Sequence, residues 1–385
     1  MRLLFVVNQA AFFVSHRLPL ARAARAVGYE VHIAAAPCAG VKALRWEGFT
    51  VHTIPLARHG MNPWRELVTL WSLYRLYRRL RPGVVHQVTV KPVLYGSIAA
   101  RLARVSTVIN AVPGLGYLFI GDGRWSAWRR RLTLWGYRRA LGRRTRVIVQ
   151  NPDDRQLLLG ARITEPENIT LIRGSGVDLE RFRPRPPPAG PPVVMFASRL
   201  LRDKGVLEFV LAAKRLRARG VSARFVLVGD LDPSYPGAIT LNQVRRWQRE
   251  GMEWWGYRED MAVVLKEASI VCLPSYREGL PKVLLEAAAC GRPVVTTDVP
   301  GCREAVRHGT NGLLVPPRQA ESLADALARL IVDPETRARM GRAGRVRAEA
   351  EFGVNRVAEQ TLALYRDALD GRETRLVAYR EMSGG

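Results

Sequence analysis

The chain has 385 residues, 48% of them apolar and 24% charged, a size and balance typical of a globular protein with two cored domains. Its four cysteines, Cys38, Cys272, Cys290 and Cys302, form no C-x-x-C pair and stand near no histidine cluster. These observations argue against a zinc site and a disulfide framework, and they predict a reduced, cytoplasmic setting. No apolar run is long enough to span a membrane, and the run at 3–7 is too short for a signal peptide.

The net charge of +26 is unevenly divided along the chain. Residues 1–185 contain 30 lysines and arginines against 10 acidic residues, whereas the remainder contains 30 against 24. Such a concentration of positive charge predicts a polyanionic partner, either a nucleic acid or an anionic membrane surface. A general preference for arginine would also raise the net charge, but it would not divide the chain into two unequal halves.

The first half of the chain alternates strands and helices. A strand at 3–7 is followed by a helix at 18–27 that Gly28 closes, and the pattern repeats with short connections. Repeated βα units of this kind predict an α/β fold with a parallel, doubly wound sheet. The other predicted strands are 31–35, 51–54, 84–88, 107–111 and 146–150, and the other helices are 41–47, 63–80, 94–104 and 125–141.

A proline-rich segment at 183–192 interrupts this alternation. Proline removes backbone donors and favours polyproline conformers, so the segment predicts a semi-rigid linker between two domains. A second βα series follows, with strands at 193–197, 224–228, 270–273 and 294–297 and helices at 205–219, 261–266 and 282–289. We therefore expect a Rossmann-like domain at 1–185, a linker at 186–192, a Rossmann-like domain at 193–355 and a helical segment at 356–385 that returns to the first domain.

Two glutamates stand eight positions apart in the second series. Glu278 lies in the connection after the strand at 270–273, and Glu286 lies within the apolar helix at 282–289. Two glutamates on one helix are usually solvated, but the carboxyl ends of parallel strands are where open α/β sheets bind ligands. A carboxylate inside an apolar helix needs hydrogen-bond partners, and a ligand rich in hydroxyl groups would supply them.

A cationic loop follows the first strand of the second series. Arg199 and Lys204 flank this loop, and Lys204-Gly205 opens the next helix. Because a helix N-terminus and two cations together attract anions, the loop predicts a diphosphate site, although a basic loop is often only solvated. Gly279 and Leu280 similarly offer backbone N–H groups at the start of a helix.

These motifs resemble those of the retaining glycosyltransferases with the GT-B fold, sequence family four, over nearly the whole chain. The second half carries S-R-L…K-G at 198–205, a strand ending in Pro274-Ser275, E-x7-E from Glu278 to Glu286 around G-L-P, and G-R-P-V-V at 291–295. The first half carries F-V-S-H-R-L-P-L at 13–20, H-Q-V-T-V-K-P at 86–92 and P-G-L-G-Y at 113–117. These look like motifs of bacterial enzymes that extend lipid-linked saccharides, including the bacillosaminyl-diphospho-undecaprenol N-acetylgalactosaminyltransferases.

The resemblance implies that Arg199 and Lys204 hold the nucleotide diphosphate and stabilise its departing charge, beside Ser198 of the same motif. It also implies catalysis with retention of configuration and without a metal ion or other cofactor, since no D-x-D motif is evident. Fixed cations that stabilise a leaving diphosphate are a physically sufficient device for this reaction.

The same resemblance implies how the rest of a UDP-sugar donor is held. Glu286 would bind the ribose hydroxyls, and Glu278 would bind hydroxyls of the donor sugar beside the backbone amides of Gly279 and Leu280. Tyr257 lies where family members hold the base.

The first half offers candidates for the acceptor side. His16, in a loop beside Arg17, is the candidate catalytic histidine, with His86 as the alternative, although a lone histidine is more often structural. Lys91 is the candidate for the acceptor's phosphate, and Arg17 and His86 complete the predicted acceptor-binding set.

Two positions depart from the family's pattern. The connection at 8–13 lacks the paired glycines that many relatives use near the diphosphate, which weakens the expected backbone contact there. Asn110 stands where many relatives place a histidine.

Tryptophan and arginine are interspersed in the predicted helix at 125–141. Trp125, Trp128, Leu132 and Trp135 fall on one helical face and suit a membrane interface, the alternative being a core-facing helix with a solvated back. The adjoining stretch at 115–120 would contact a polyprenyl chain.

The expected activity is transfer of an N-acetylhexosamine or a hexose from a UDP-sugar to a polyprenyl-diphosphate-linked saccharide. The protein would bind peripherally to the inner leaflet of the cytoplasmic membrane through its basic first half. The alternatives are a glycosyltransferase with a soluble acceptor, a GT-B-fold UDP-sugar 2-epimerase, and a basic nucleic-acid-binding module. The last of these lacks a recognisable nucleic-acid-binding motif.

Overall fold

The structure, a computed structural model, describes all residues except 39, 57–61, 116–123, 142–144, 236 and 384–385, and for 124–126, 129 and 371–383 it describes the backbone alone. The chain folds into two compact units. The first comprises Met1–Ser175 and Val354–Gly385, and the second comprises Gly176–Gly353.

The second unit begins earlier in the chain than the proline-rich boundary predicted from the sequence. Val177 pairs in parallel with Gly353, and the backbone N–H of Val177 donates to the Phe352 carbonyl at 2.8 Å. Phe182 is buried in the core of the second unit. The proline-rich segment is therefore an exposed coil of the second unit that leads into its first strand.

The first unit contains a seven-stranded parallel sheet in the order β3-β2-β1-β4-β5-β6-β7. Its strands are β1 Arg2–Gln9, β2 Glu30–Ala36, β3 Thr50–Thr53, β4 Val84–Val88, β5 Thr107–Val112, β6 Thr145–Val149 and β7 Ile169–Leu171. Its helices up to residue 160 are α1 Ala10–His16, α2 Leu18–Ala26, α3 Gly40–Trp46, α4 Pro63–Leu80, α5 Val90–Leu102, α6 Arg124–Ala140 and α7 Pro152–Gly160, followed by a 3-10 turn at Pro166–Asn168.

Helices cover both faces of this sheet because successive side chains of an extended strand point to opposite sides. Leu3 and Phe5 of β1 pack in a core with α1, α2 and α3, whereas Leu4 and Val6 pack in a second core with α4 and α5. The C-terminal helix Val354–Ser383 lies against α2, and its Tyr365 is buried in the first of these cores.

The second unit contains a six-stranded parallel sheet in the order β10-β9-β8-β11-β12-β13. Its strands are β8 Val193–Ala197, β9 Arg224–Val228, β10 Glu253–Trp254, β11 Ile270–Leu273, β12 Val294–Thr297 and β13 Gly312–Val315. Its helices are α8 Val206–Ala218, α9 Leu241–Arg249, α10 Met261–Val264, α11 Lys282–Ala289, α12 Cys302–Ala305, α13 Ala320–Val332 and α14 Pro334–Arg347, with 3-10 turns at Arg202–Lys204 and Leu265–Glu267 and a π-helical turn at Ala348–Phe352. The predicted α/β class with two parallel sheets is confirmed.

Several elements differ from the prediction, and three of them are informative. Helix α1 occupies the region predicted as a loop after β1, so His16 ends a helix rather than standing in a loop. Helix α5 begins before the predicted start because Pro92 lies in its first turn, where a missing N–H has no intrahelical partner to lose. Helix α9 was not predicted, although Thr240 and Gln243 form a capping box at its start.

Within the described part of the chain, no helix is both long and apolar enough to cross a membrane.

Candidate functional site

Three connections of the second unit meet at the carboxyl edge of its sheet, after strands β8, β11 and β12. Two backbone hydrogen bonds join them: Tyr276 N–H donates to the Asp203 carbonyl at 2.9 Å, and Glu278 N–H donates to the Pro300 carbonyl at 3.2 Å. Because β8, β11 and β12 are adjacent and parallel, their C-terminal ends lie side by side. The cationic loop and the glutamate loop predicted from the sequence are therefore neighbours.

Two glycines make this close approach possible. Gly205 has φ +75°, and a Cβ atom there would lie 2.0 Å from the Pro274 carbonyl oxygen. Gly301 has φ +80°, and a Cβ atom there would lie 2.4 Å from the Gly279 carbonyl oxygen. Both positions combine a left-handed backbone with space for a hydrogen only, so neither tolerates a side chain.

Lys204 and Glu278 form the centre of the site. Lys204 Nζ donates to Glu278 Oε1 at 2.6 Å, and the Ser275 hydroxyl donates to the same oxygen at 2.7 Å. The lysine side chain is 19% exposed and the glutamate side chain 12%, so solvent screens the pair only weakly. The structure thus joins two residues that the sequence analysis predicted separately, one for the diphosphate and one for the sugar.

Glu286 lies within α11 and is 5% exposed. Burial raises the pKa of its carboxyl group, and the neighbouring Lys282 acts in the opposite direction. Lys282 Nζ lies 2.9 Å from Glu286 Oε1, one helical turn away. The partner that we expected a ligand to supply is therefore provided at least in part by the chain itself.

Arg199 has an acidic partner of its own. Its Nη1 donates to Asp232 Oδ2 at 2.8 Å, and its guanidinium carbon lies 5.1 Å from the centroid of the Tyr235 ring. The arginine side chain is 40% exposed. Arg199 follows β8, as predicted, but the structure orients it through Asp232 and Tyr235.

The other predicted donor residues occupy three different environments. Ser198 donates its backbone N–H to the Val228 carbonyl at 3.0 Å, which ties the start of the cationic loop to β9. Leu280 is buried, and Gly279 stands against Gly301. Tyr257 is 66% exposed and follows β10, the edge strand of the sheet, two strands from β8.

In the first unit, the predicted acceptor residue His86 lies inside the core. It is fully buried on β4, its Nδ1 lies 2.5 Å from the Tyr365 hydroxyl oxygen, and burial lowers its pKa well below the usual value. The full burial of His86 argues against the predicted acceptor contact, because the C-terminal helix covers this face of the sheet.

Arg17 and His16 lie at the junction of α1 and α2. Arg17 is 4% exposed, and burial lowers its pKa to about 10 while the Tyr365 phenol opposes that change. Such burial argues against the predicted contact between Arg17 and an acceptor. His16 is half-buried and stacks on Phe12 with ring centroids 4.3 Å apart.

Lys91 lies in the first turn of α5, next to helix α4. Its Nζ donates to Glu66 Oε1 at 2.6 Å, with both side chains less than 15% exposed. Burial and the Glu66 carboxylate also raise the pKa of Tyr95 to about 12. The predicted phosphate ligand therefore already holds a carboxylate in this structure.

Asn110, the position that departs from the family's histidine, is fully buried in β5. Its Oδ1 accepts a hydrogen bond from the Ser97 hydroxyl at 3.1 Å, and the same hydroxyl lies 3.0 Å from Gln87 Oε1. The residue is part of a polar network beneath α5.

Sequence reasoning missed several partners of the predicted residues. The i,i+4 spacing of Lys282 and Glu286 could have predicted their contact, because residues four apart face each other on a helix. The sequence could not predict Asp232 or Glu66 as partners, because each lies in a different element from the cation that it contacts.

The predicted contact of residues 115–120 with a polyprenyl chain falls largely outside the described residues, as does the side chain of Trp125. Among the residues that the structure describes, no group of three or more His, Cys, Asp or Glu side chains is arranged to hold a metal ion.

Two family models match the chain, one in each half. The model described as "Glycosyl transferase 4-like" matches residues 2–151, and the model described as "Glycosyl transferases group 1" matches residues 191–333. Together they cover every strand of the two sheets except β7, and they include the three connections described above.

Curated relatives match over long stretches. The chain is 26% identical to the N,N'-diacetylbacillosaminyl-diphospho-undecaprenol alpha-1,3-N-acetylgalactosaminyltransferase of Campylobacter jejuni, over 95% of this chain and 98% of that protein. It is 28% identical to the UDP-Gal:alpha-D-GlcNAc-diphosphoundecaprenol alpha-1,3-galactosyltransferase of Escherichia coli, over 73% of this chain and 74% of that protein.

Solved structures show the same fold. Sucrose-phosphate synthase from Thermosynechococcus elongatus superposes with a TM-score of 0.80 at 21% identity, over 96% of this chain and all of the other. The Anabaena protein HepE in complex with UDP-glucose superposes with a TM-score of 0.77 at 19% identity, over 95% of this chain and all of the other. At these identities the likeness concerns the fold alone.

Proposed function

The chain belongs to the glycosyltransferases of group 1 with the GT-B fold, and from this premise we propose that it transfers a sugar from a UDP-sugar to a polyprenyl-diphosphate-linked saccharide. The observation that carries the donor half is the contact between Lys204 and Glu278 at the carboxyl edge of the second sheet. The acceptor half is supported by similarity along nearly the full length to a transferase that acts on a diphospho-undecaprenol saccharide.

The donor would lie against the N-terminus of α8. Lys204 precedes Gly205, the N-cap of that helix, so its cation and the first backbone N–H groups face one anion site. When the diphosphate binds, the Lys204 ammonium moves toward it from Glu278, and the glutamate accepts sugar hydroxyls in return. Arg199, oriented by Asp232, adds the second cation.

The nucleoside would be held by carboxylate and ring contacts. Glu286 binds the ribose hydroxyls through the lone pairs that Lys282 leaves open, since a carboxylate accepts several hydrogen bonds. Tyr257, exposed after β10, supports the base. The backbone amides of Gly279 and Leu280 complete the sugar site.

The reaction would proceed with retention through attack on the same face. The acceptor hydroxyl oxygen bonds to the anomeric carbon, the bond from that carbon to the diphosphate oxygen breaks, and the hydroxyl proton passes to that leaving oxygen. Lys204 and Arg199 stabilise the negative charge that develops on the diphosphate. Because two fixed cations do this, we expect turnover to persist in the presence of EDTA.

The acceptor would bind to the first unit, with the protein peripheral on the inner leaflet of the membrane. Lys91 is the remaining charged candidate for the acceptor diphosphate, because it lies at the N-terminus of the 13-residue helix α5 and Glu66 keeps it oriented. His16 stays the candidate histidine, since it is half-buried rather than enclosed.

The test is a donor screen with products identified by mass. Purified protein is incubated with each of several UDP-sugars, with and without a polyprenyl-diphosphate-linked disaccharide. We expect one donor to add one sugar residue to the lipid and to release UDP. Conversion of the donor without acceptor into a 2-epimer would show an epimerase instead, and transfer to a free sugar alone would show a soluble-acceptor enzyme.

A further inference from the structure

Helix α4 of the first unit exposes an apolar row to solvent. Trp64, Leu67, Val68 and Trp71 follow the i, i+3, i+4, i+7 spacing of one helical face, and the two tryptophans are 79% and 57% exposed. The opposite face, which includes Leu73, is buried in the core. A surface helix of a globular protein normally keeps such an apolar row buried, so this exposed row marks an interaction surface.

The same outer face becomes basic in the C-terminal half of α4. Arg75, Arg78 and Arg79 continue the face beyond Trp71 and are all exposed. Together with His52 they line a groove of about 710 Å³ beside the end of β3. Among the described residues, none of the three arginines forms an ion pair with a carboxylate. The groove therefore presents uncompensated positive charge.

Helix α6 repeats this arrangement. Trp128, Leu132 and Trp135 are exposed at i, i+4 and i+7, and the guanidinium carbon of Arg139 lies 5.4 Å from the Trp135 ring centroid, one turn further on. Arg138, next to it, is also exposed. On both helices, exposed tryptophans and exposed arginines thus lie together on the outer surface.

The two helices present these rows on one side of the unit. Each leads into a strand of the same parallel sheet, α4 into β4 and α6 into β6, and α5 lies between them in contact with both. All three helices therefore run in the same direction, with their N-termini toward the carboxyl edge of the sheet. Exposed Leu102 on α5 adds apolar surface between the two rows.

We propose that the outer surface of α4, α5 and α6 docks the protein on an anionic bilayer. The exposed tryptophans of α4 and α6 enter the headgroup region, and the exposed arginines of the same two helices bind lipid phosphates. This inference rests on the proposed function, because docking aids turnover only when the acceptor lies in a bilayer. It names the surface through which the protein contacts that bilayer.

Charge and residue type favour a bilayer over a protein partner. Glu66 is the only acidic residue in the sequences of the three helices, and Lys91 holds it. A surface without free carboxylates repels basic partners and attracts anionic headgroups. Tryptophan beside arginine is the composition of interfacial helices, because the indole ring suits the boundary between headgroups and acyl chains.

The experiment is co-sedimentation of the full chain with phosphatidylcholine vesicles and with vesicles of phosphatidylcholine and phosphatidylglycerol. We expect the wild type to bind the anionic vesicles much more tightly. Trp64→Ser with Trp71→Ser should weaken binding about tenfold or more, since apolar contact is lost. Arg75→Gln, Arg78→Gln and Arg79→Gln together should weaken binding to anionic vesicles roughly a hundredfold, at about fivefold for each arginine.

Matched controls test whether vesicle binding depends on this particular surface or on the overall charge and tryptophan content of the protein. Trp46→Ser removes a 90% exposed tryptophan on α3, the opposite face of the same sheet. Arg329→Gln, Arg339→Gln and Arg342→Gln remove three exposed charges from the second unit. Both controls should bind within about twofold of the wild type. Equal losses in the controls and the test variants, or no binding of the wild type to either vesicle, would overturn the proposal.

A protein partner is the competing outcome. If Trp64→Ser with Trp71→Ser abolishes concentration-dependent dimers in light scattering, and the wild type ignores vesicles, then the surface joins two copies of the chain and the docking proposal fails. Thermal unfolding monitored by circular dichroism verifies that each variant is folded.

Turnover on two acceptors separates this inference from the proposed function. With a short-chain, water-soluble lipid-diphosphate saccharide, the tryptophan variant should match the wild type, whereas with the acceptor in anionic vesicles it should be at least tenfold slower. Vesicle binding without transfer to either acceptor would contradict the proposed function and leave docking intact. Equal rates of wild type and variant on the vesicle acceptor would contradict docking and leave the function intact.

Discussion

At the scale of single residues, the second unit keeps its site charges in pairs. Lys204 with Glu278 and Lys282 with Glu286 are contacts of 2.6 and 2.9 Å in which the carboxylates are largely removed from water. A buried charge without a partner is far more costly than a paired one. Each lysine therefore both stabilises the unit and holds a carboxylate where a ligand could use it.

Replacing Lys204 by methionine should remove the cation while keeping most of the side-chain volume. We expect kcat/KM for the donor to fall by about 10²–10³, the loss typical for one group that stabilises developing negative charge. The measurement is UDP release at varied donor concentration. Lys214→Met is the control, because Lys214 pairs with Glu250 at 2.8 Å in the same unit but is 38% exposed on α8. Equal rates for the Lys204 variant and the wild type would show that Lys204 does not stabilise the leaving diphosphate.

Glu286→Gln tests the buried carboxylate through the pH dependence of stability. Since burial places its folded-state pKa above the unfolded value, the folded protein holds this proton more tightly, and the stability gained by protonation is lost as pH rises through the folded pKa. Glutamine does not ionise, so the variant should unfold roughly 2–4 °C above the wild type at pH 8, the shift that about 1 kcal/mol produces in a domain of this size. The difference should shrink as pH falls below the folded pKa of Glu286. A difference that is constant with pH would show that the carboxylate is not destabilised by burial.

At the scale of elements, the site is made by three loops that only glycine allows to meet. Gly205 stands against the carbonyl of Pro274, and Gly301 stands against that of Gly279. The loops after β8, β11 and β12 are thus fixed by backbone contacts as well as by the ion pair.

Gly205→Ala should lower the free energy of unfolding of the second unit by about 3 kcal/mol or more, through both a left-handed backbone and a steric clash. Gly220→Ala isolates the first effect, because Gly220 follows the same helix α8 with φ +72° and a Cβ atom there would meet no other atom within 4 Å. That control should cost only about 1–2 kcal/mol. Urea unfolding of both variants gives the comparison, and equal losses would show that the approach to Pro274 carries no strain.

At the scale of the whole molecule, the chain leaves the first unit, forms the second and then returns to the first. The return is the C-terminal helix, whose Val357, Leu362 and Tyr365 join the core beside β1 and β4. Tyr365 and His86 meet inside that core, although 279 positions separate them in the sequence. The core of the first unit is therefore complete only with the helix that follows the second unit.

Tyr365→Phe should lower the free energy of unfolding by about 1–3 kcal/mol, because it leaves the buried His86 Nδ1 without its partner. Tyr137→Phe is the matched control: Tyr137 is fully buried in the same unit, and its hydroxyl has no hydrogen-bond partner among the described residues. That variant should be neutral or slightly stabilising. Both are measured by urea unfolding followed through tryptophan fluorescence, and a loss in the control equal to that in Tyr365→Phe would contradict a specific contact with His86.

The sequence by itself determined the alternation of strands and helices, the two parallel sheets and the connections that carry the site, because hydrophobic periodicity and glycine positions are local properties. It also placed Arg199, Lys204 and Glu278 at one edge of a sheet, since parallel strands share their carboxyl ends, and it placed Glu286 in the helix that follows. Only the tertiary structure decided the partners: Lys204 with Glu278, Arg199 with Asp232, and His86 beneath Tyr365. Such contacts join residues distant in sequence, and their geometry depends on how whole elements pack, which no local pattern encodes.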